Sequence, residues 1–212
     1  MIGILGGTFD PVHFGHLRPA LEIRQALALD EIRLIPCHLP PHRPRPVASP
    51  RQRVAMLEAA VRNYPEFRID PRELAREGPS YTLDTLTSLR EEMGETGVCL
   101  LTGRDAFSGL PTWHRWRELI DLCHMVVMTR PGPGAPAVPE LADFIQRHRV
   151  QDAALLEQQT AGLLLFRPVT QLEISATQVR RLLAEGHNAG FLLPEAVLDI
   201  IQQEGLYQTE DN

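Results

Sequence analysis

Residues 1–16 read MIGILGGTFDPVHFGH, an apolar run followed by a glycine-rich turn and two histidines. The apolar run ends at Leu5, and a helical pattern starts near Gly15. A strand that passes through glycines into a helix presents backbone N–H groups at the carboxyl edge of a parallel sheet, where anions bind well. His13 and His16 flank the start of that helix, so both rings can face one bound group. This stretch therefore predicts an anion site on an α/β fold.

The glycine spacing excludes two common phosphate-binding motifs. Gly3, Gly6, Gly7 and Gly15 do not form GxGxxG, and no GK[ST] of a Walker A loop follows them. A zinc site is not favoured either, because no third ligand with metal spacing lies near the two histidines. We expect Gly15 to leave room for a flat ligand against the backbone. The alternative is an ordinary tight turn with two incidental histidines.

Short apolar runs alternate with stretches of helical period along the chain. Such runs are typical of strands buried on both faces of a parallel sheet. They lie at 1–5, 31–36, 98–103, 124–130 and 162–168, and the helical patterns between them lie at 16–29, 51–64 and 82–93. Ser49 and Pro50 predict the cap and first turn of the second helix. Residues 1–170 are therefore expected to form a doubly wound, mostly parallel α/β sheet of Rossmann-like type.

The pattern changes after the last predicted strand. Residues 171–212 contain two helical patterns, 175–186 and 194–205, with no strand between them. They predict a small C-terminal helical segment packed on the α/β domain. Two proline-rich loops, 36–46 and 130–139, are expected to cover a ligand, because long loops in compact domains are often functional.

The composition limits the classes of protein that this chain can belong to. The 212 residues are 43% apolar, enough for the core of one generous domain, and their formal net charge is −6. Nucleic acids and anionic membranes are not expected partners, because both reward a basic surface. Cys37, Cys99 and Cys123 lack metal or disulfide spacing and are predicted to be reduced thiols. With no signal-peptide pattern, we expect a cytoplasmic protein, and a weak homo-oligomer remains open.

The stretch GGTFDPVHFGH (6–16) resembles the signature of the HxGH nucleotidyltransferases, and the chain as a whole resembles the bacterial nicotinate-nucleotide adenylyltransferases. Comparable blocks follow in order: PPHR (40–43), SYTLDTL (80–86), GRD (103–105), TWHRW (112–116), RPG (130–132), ISATQVR (174–180) and LPEAVLDIIQQEGLY (193–207). The resemblance implies transfer of the adenylyl group of ATP to nicotinate mononucleotide, with release of pyrophosphate, in NAD biosynthesis. ATP and nicotinate mononucleotide are thus the expected partners.

This reaction needs no general base, because the attacking phosphate is already anionic at neutral pH. The protein must hold two charged substrates in line and stabilise negative charge on the α-phosphate and the departing pyrophosphate. The resemblance implies that His16 is the principal catalytic group and that His13 acts beside it, whereas Asp10 braces the loop. The other positions expected to bind ATP are Gly6, Gly7, Thr8, Phe9, Gly15, His42, Arg43, Gly103, Asp105, Ile174, Ser175, Thr177 and Arg180.

Two sets of these expected ATP-binding residues have alternative interpretations. Ser175 is expected to cap a helix, with Thr177 in its first turn, so that the helix N-terminus and Arg180 clasp the β- and γ-phosphates. A plain capped helix with a surface arginine is the alternative. His42 and Arg43 are expected to reach the triphosphate or the pyrophosphate, unless they are ordinary surface residues.

The second substrate is expected near SYTLDTL and TWHRW. Thr82 and Thr85 begin a predicted helix, where free N–H groups suit a carboxylate, and Trp113 offers a face on which a pyridine ring can stack. Asp105 would accept from ribose hydroxyls. With His114 and Arg130 these residues form the expected mononucleotide site. Around the carboxylate, the helix start at Thr82 and Thr85 and a backbone N–H near His114 are predicted to offer donors only. Without the resemblance, Trp113 would be interpreted as a core residue, and Thr82 and Thr85 as residues that cap a helix. Mg²⁺ is expected to bind ATP oxygens and water, with no dedicated protein site.

Three rival interpretations remain open. A phosphopantetheine adenylyltransferase shares the fold and reaction, but it typically has threonine at the position of His13 and lacks SYTLDTL and TWHRW. A fragment of a class I aminoacyl-tRNA synthetase should show a KMSKS loop and a basic surface. A nucleotide sensor without catalysis is a protein of a different class, one that is not an enzyme. Such a sensor would not need His13, His16 and Arg180 together, and this chain has all three.

Overall fold

Seven strands form the sheet of this protein, whose computed structural model describes residues 1–40, 44–129 and 138–208. The strands are β1 (Ile2–Gly7), β2 (Glu31–Pro36), β3 (Phe67–Ile69), β4 (Val98–Gly103), β5 (His124–Thr129), β6 (Arg149–Val150) and β7 (Leu164–Pro168). Their order across the sheet is β3-β2-β1-β4-β5-β7-β6, and each neighbouring pair is parallel. The predicted parallel α/β sheet is confirmed.

Eight α-helices lie within the described residues. They are α1 (Phe14–Ala26), α2 (Pro50–Val61), α3 (Thr82–Met93), α4 (Arg104–Ser108), α5 (Leu119–Leu122), α6 (Pro139–His148), α7 (Ala176–Ala184) and α8 (Glu195–Gln203). Ser49 caps α2 by accepting from the Gln52 N–H, and Pro50 is its first residue, as predicted. None of the described helices combines the length and the apolar character needed to cross a membrane.

Several elements were not predicted from the sequence. β3 has three residues and β6 has two, so neither gives a recognisable strand pattern. α6 directly follows the second proline-rich loop, and its ten residues carry only a short helical pattern of apolar side chains, at Leu141, Phe144 and Ile145. The first strand continues through Gly7 rather than ending at Leu5.

Hydrophobic residues pack in two layers, one on each face of the sheet. Ile23 of α1, Leu57 of α2 and Ile201 of α8 share one buried cluster, and Leu5 of β1 points into it. Ile4, the next residue along that strand, belongs to the opposite cluster with side chains of α3, α5 and α6. The C-terminal helices therefore add to the layer that α1 and α2 form. The division of the chain at residue 170 into two parts stays a prediction.

The switch point of the sheet lies between β1 and β4. β1 pairs with β2 on one side and with β4 on the other. After β1 the chain continues to β2 on one side of the sheet, and after β4 it continues to β5 on the other side. Helices that follow the two strands then diverge, which opens a crevice outside their carboxyl ends. The Gly6-Gly7 turn and Gly103 both lie at that edge.

Candidate active site

A cavity of about 390 Å³ occupies the crevice at the switch point. Its walls come from the ends of β1 and β4, the start of α3 and the segment after α4. The cavity brings together many of the residues that the sequence singled out: Gly6, Gly7, Thr8, Thr82, Thr85, Gly103, Asp105, Trp113 and His114. Residues that are far apart in the sequence thus line one space, as the resemblance implied.

The two histidines stack on each other at the start of α1. His13 is the N-cap residue, and its ring lies 3.7 Å from that of His16, centroid to centroid, with 28° between the planes. The backbone N–H of His13 donates to Nδ1 of His16 at 3.3 Å. A neutral His16 ring therefore carries its proton on Nε2. The Phe9 ring packs against His16 edge to face, at 5.1 Å.

His13 is buried and neutral at physiological pH. It is 4% exposed, and burial lowers its pKa to about 4. Its Nδ1 is also buried and has no hydrogen-bond partner among the residues that the structure describes. The neutral ring can therefore make hydrogen bonds but adds no positive charge to this part of the structure.

Gly15 serves the packing of His13. A Cβ at this position would lie 2.9 Å from Nδ1 and 3.0 Å from Cε1 of His13, and 3.0 Å from the carbonyl oxygen of Ile174. The expectation that Gly15 leaves room for a flat ligand is wrong, because the His13 ring and the Ile174 carbonyl fill that space. Only glycine lets α1, the imidazole and the segment before α7 approach so closely.

Asp10 braces the histidine loop, by which we mean residues 8–13 between β1 and α1. Its carboxylate is buried and accepts three hydrogen bonds. The backbone N–H groups of Val47 and Ala48 donate at 2.7 and 3.0 Å, and the Tyr207 hydroxyl donates at 2.7 Å. These contacts tie the loop to the segment before α2 and to the C-terminal segment.

Arg53 supports the same loop and was missed in the sequence. It lies in α2, 1% exposed, and its Nη1 donates to the carbonyl oxygens of Thr8 and Cys37 at 2.9 and 2.7 Å. It thereby joins the ends of β1 and β2. The signal was available: Arg53 shares the spacing of the apolar stripe that continues with Met56 and Leu57. A charged residue on such a stripe indicates a buried role.

The ISATQVR segment lies beside the histidine loop. Ser175 caps α7 by accepting from the Gln178 N–H at 3.1 Å. Arg180, one turn into α7, donates from Nη1 to the carbonyl oxygen of Asp10 at 2.6 Å, and its Nη2 lies 3.4 Å from Oγ1 of Thr177. The Arg180 side chain is 30% exposed. A plain surface arginine is therefore the wrong interpretation, since its guanidinium contacts the loop that carries the histidines.

The end of the cavity at the start of α3 differs in part from the expectation. Thr82 is the first residue of α3, but Thr85 does not present a free N–H, because that group donates to the Tyr81 carbonyl. The Thr85 hydroxyl donates to the Glu73 carboxylate at 2.7 Å and accepts from Nη1 of Arg76 at 2.9 Å. The prediction of donors only is wrong, because Glu73, whose carboxyl oxygen accepts from the Thr85 hydroxyl, also lines the cavity. Burial raises the pKa of this carboxyl.

Aromatic residues line the outer wall of that end. Trp113 is half-buried and packs on the core, whereas Trp116 is buried and packs against Phe144 away from the cavity. The rings of Tyr81 and His114 lie 4.5 Å apart at the cavity wall. Trp113 is thus the tryptophan that can offer a face to a ligand. The predicted residues His42, Arg43 and Arg130 lie outside the described residues.

The fold and this site together define a class of protein. A parallel sheet with a glycine turn at its switch point, paired imidazoles on the next helix and a capped, arginine-bearing helix beside them is the arrangement of an α/β nucleotidyltransferase. Residues 4–182 match the Cytidylyltransferase-like family, and the chain belongs to this family. The resemblance stated from the sequence is confirmed.

Individual relatives cover nearly the whole chain. A probable nicotinate-nucleotide adenylyltransferase of Methylococcus capsulatus is 51% identical over 98% of this chain and 99% of its own length. One of Aeromonas salmonicida, with the same name, is 48% identical over 99% of this chain and 98% of its own. A solved structure, Plasmodium falciparum nicotinic acid mononucleotide adenylyltransferase complexed with NaAD, has a TM-score of 0.71 over 97% of this chain and 96% of its own. At 18% identity it supports the fold alone.

Proposed function

We propose that this protein transfers the adenylyl group of ATP to nicotinate mononucleotide, giving nicotinate adenine dinucleotide and pyrophosphate in the biosynthesis of NAD. The observation that carries the proposal is the stacked pair of His13 and His16, which follows directly on the Gly6-Gly7-Thr8 turn of the cavity that Trp113 also lines. Arg180 contacts the same histidine loop through the Asp10 carbonyl. Relatives with the corresponding name match this chain over almost its full length.

The reaction assigns a role to each part of the site. A phosphate oxygen of the mononucleotide attacks the α-phosphorus of ATP, and the bond from that phosphorus to the bridging oxygen of the leaving pyrophosphate breaks. In our proposal Nε2–H of His16 donates to the α-phosphate, where negative charge grows during transfer. His13 adds a neutral ring next to the phosphates. Arg180 and the N-terminus of α7 bind the β- and γ-phosphates, which leave as pyrophosphate.

The mononucleotide is proposed to lie toward α3. Its pyridine ring would stack on Trp113, its carboxylate would accept from the N–H groups at the Thr82 end of α3, and Asp105 would accept from the ribose. Glu73 adds a carboxyl group to this end of the cavity, with Arg76 close by to oppose its charge. We infer that the preference for nicotinate depends on the free N–H groups at the start of α3, because the rest of this end of the cavity does not consist of donors alone.

We further propose that Mg²⁺ accompanies ATP and that the reaction takes place in the cytoplasm. Within the described ranges, no three His, Cys, Asp or Glu side chains are grouped to hold a metal ion. The Asp10 carboxylate, which is the nearest to the histidines in the sequence, already accepts from three donors. The ion would therefore be bound by phosphate oxygens and water, which is common for Mg²⁺. It would offset charge on the phosphates that Arg180 and α7 hold.

The test is the release of pyrophosphate from ATP and Mg²⁺ with either nicotinate or nicotinamide mononucleotide, with identification of the dinucleotide product. An amide that turns its NH₂ toward the helix start leaves a donor unpaired, at a cost of roughly 1–3 kcal/mol, and it also loses the charge-assisted part of the bond. We expect kcat/KM to favour the acid by on the order of a hundredfold. No turnover with either substrate would contradict the proposed reaction, and comparable values would contradict the choice of nicotinate.

A further inference from the structure

The C-terminal segment returns to the histidine loop after α8. The chain turns at Gly205, where φ is 61°, and Tyr207 then joins the buried cluster that contains Phe9 and Val12. Tyr207 is 7% exposed, and its hydroxyl donates to Oδ1 of Asp10 at 2.7 Å. A buried tyrosine hydroxyl needs a partner, and a carboxylate is a strong one. This bond therefore joins the C-terminal segment directly to the loop.

Asp10 connects this contact to the reacting end of the site. Its Oδ1 accepts from both Tyr207 and the Ala48 N–H, while its backbone carbonyl accepts from Arg180. Three residues further on, His13 begins the stacked imidazole pair. A shift of Asp10 would move the Arg180 contact and the histidines together.

Both partners of the bond are associated with uncommon backbone conformations. Phe9, which precedes Asp10, has φ of 48°, and Tyr207 has φ of 61°. Residues other than glycine rarely adopt such values, and they keep them where surrounding contacts over-determine the backbone, often at functional sites. The Tyr207–Asp10 hydrogen bond is a contact of this kind, because it joins the two segments at these positions.

We propose that Tyr207 is a positioning residue for adenylyl transfer, which acts through Asp10 to hold the histidine loop and Arg180 in the geometry of the reaction. This role rests on the proposed function. Tyr207 is not among the residues that line the cavity, so it has no direct part in binding the mononucleotide. Its effect should therefore fall on turnover and on the ATP end of the site.

The substitution Tyr207→Phe removes the hydroxyl and keeps the ring in the core. Asp10 then retains the N–H donors of Val47 and Ala48, so the loop should stay folded while its freedom to shift increases. Hydrogen bonds to charged groups are strong, and misplacement by about 1 Å can cost on the order of a hundredfold in rate. We expect kcat to fall about tenfold, and KM for the mononucleotide to change less than about twofold.

Tyr64→Phe is the matched control, because Tyr64 is 47% exposed and its ring contacts Phe67 at the β3 edge of the sheet. It should leave kcat and both KM values unchanged. Steady-state rates are measured well below the melting temperature of each variant. The imidazole signals of His13 and His16 are followed by NMR without substrates, and they should shift in Tyr207→Phe and not in Tyr64→Phe.

The outcomes separate this proposal from the proposed function. If the unaltered enzyme shows no transfer, the function is wrong, and the histidine signals still test whether Tyr207 holds the loop: shifted signals support it and unshifted ones overturn it. If transfer occurs, normal kcat in Tyr207→Phe overturns the role in the reaction, whatever its melting temperature. An equal loss in Tyr64→Phe overturns it as well.

Asp10→Asn provides a second route, which also applies if Tyr207→Phe does not fold. The amide keeps an oxygen for the Val47 N–H and turns its NH₂ to the Tyr207 hydroxyl, so kcat should fall, with the mononucleotide KM nearly unchanged. Where both variants fold, adding Tyr207→Phe to Asp10→Asn should cost less than about twofold, because residues that act through one contact are not additive. A normal kcat in Asp10→Asn, or a further tenfold loss in the double variant, overturns the proposal.

Discussion

Gly15→Ala should separate the activity of this enzyme from its stability. The new methyl would lie 2.9 Å from Nδ1 of His13 and 3.0 Å from the Ile174 carbonyl oxygen. Non-bonded heavy atoms prefer a separation of about 3.5 Å or more, so the imidazole must retreat by about 0.6 Å. Ile174 opposes the methyl with backbone, which cannot rotate away. The His13 ring therefore takes most of the displacement.

Two effects on the free energy of unfolding oppose each other in this variant. Overpacking of a tight site costs about 1–3 kcal/mol. Alanine is favoured over glycine within a helix by about 1 kcal/mol, and Gly15 is the second residue of α1. The net loss should be between about 0 and 2 kcal/mol. Catalytic groups tolerate displacements of only about 0.5 Å, so kcat should fall on the order of tenfold to a hundredfold.

The assay pairs denaturant unfolding with the rate of pyrophosphate release. Gly109→Ala is the control, because its new methyl would be 3.6 and 3.7 Å from the nearest backbone oxygens and its φ is −84°. That variant should keep kcat within about threefold of normal, since no catalytic ring has to move. Turnover of Gly15→Ala within the same limits would refute the argument that Gly15 exists to seat His13.

Three further predictions concern the charge and hydrogen bonding of the site. His16→Ala should lower kcat by on the order of a hundredfold while calorimetry shows ATP binding largely intact; near-normal turnover would remove His16 from the mechanism. Arg180→Ala should weaken ATP and pyrophosphate more than the mononucleotide in KM measurements, and equal losses would indicate a structural role. In the unfolded chain His13 has the ordinary histidine pKa of about 6.5, whereas in the folded protein its pKa is about 4. As the pH falls, the unfolded chain therefore takes up this proton first. The free energy of unfolding should therefore fall by about 3 kcal/mol between about pH 6.5 and 4, and a His13→Gln variant in which that loss persists would contradict this assignment.

The parts of the fold that were predicted correctly are those that local sequence determines. α3 and β4 have the predicted bounds, because a buried strand reads as a continuous apolar run and a helix repeats its apolar side chains along one face. The caps formed by Ser49 and Ser175 also depend only on the residues that follow them. Short edge strands such as β3 carry too few residues for a pattern.

The supports of the site could not be predicted in the same way. Asp10 and Tyr207 are 197 positions apart, and Asp10 and Arg180 are 170 apart. No local periodicity reports such a contact, and the fold alone brings the partners together. Gly15 shows a different error. The space left by its missing side chain was predicted to hold a ligand, but the His13 ring and the Ile174 carbonyl occupy it. Sequence motifs predicted which groups react, whereas the contacts that hold those groups required the structure.

The stacking of the histidines determines whether they can stabilise a polyanionic substrate by positive charge or by hydrogen bonds. Two unit charges 3.7 Å apart would repel by about 4 kcal/mol at an effective dielectric of about 20, and burial independently keeps His13 neutral. The pair therefore carries at most one positive charge, and its main contribution is oriented hydrogen bonding. In the proposed reaction, positive charge would instead come from Arg180, held against the Asp10 carbonyl, and from a divalent ion bound with ATP. A fixed N–H group gains most when charge develops on the oxygen that it faces. A cation beside phosphates that are already charged in free ATP binds the ground state nearly as well as the transition state. We therefore expect substitutions of the histidines to act on kcat and substitutions of Arg180 to act on KM for ATP.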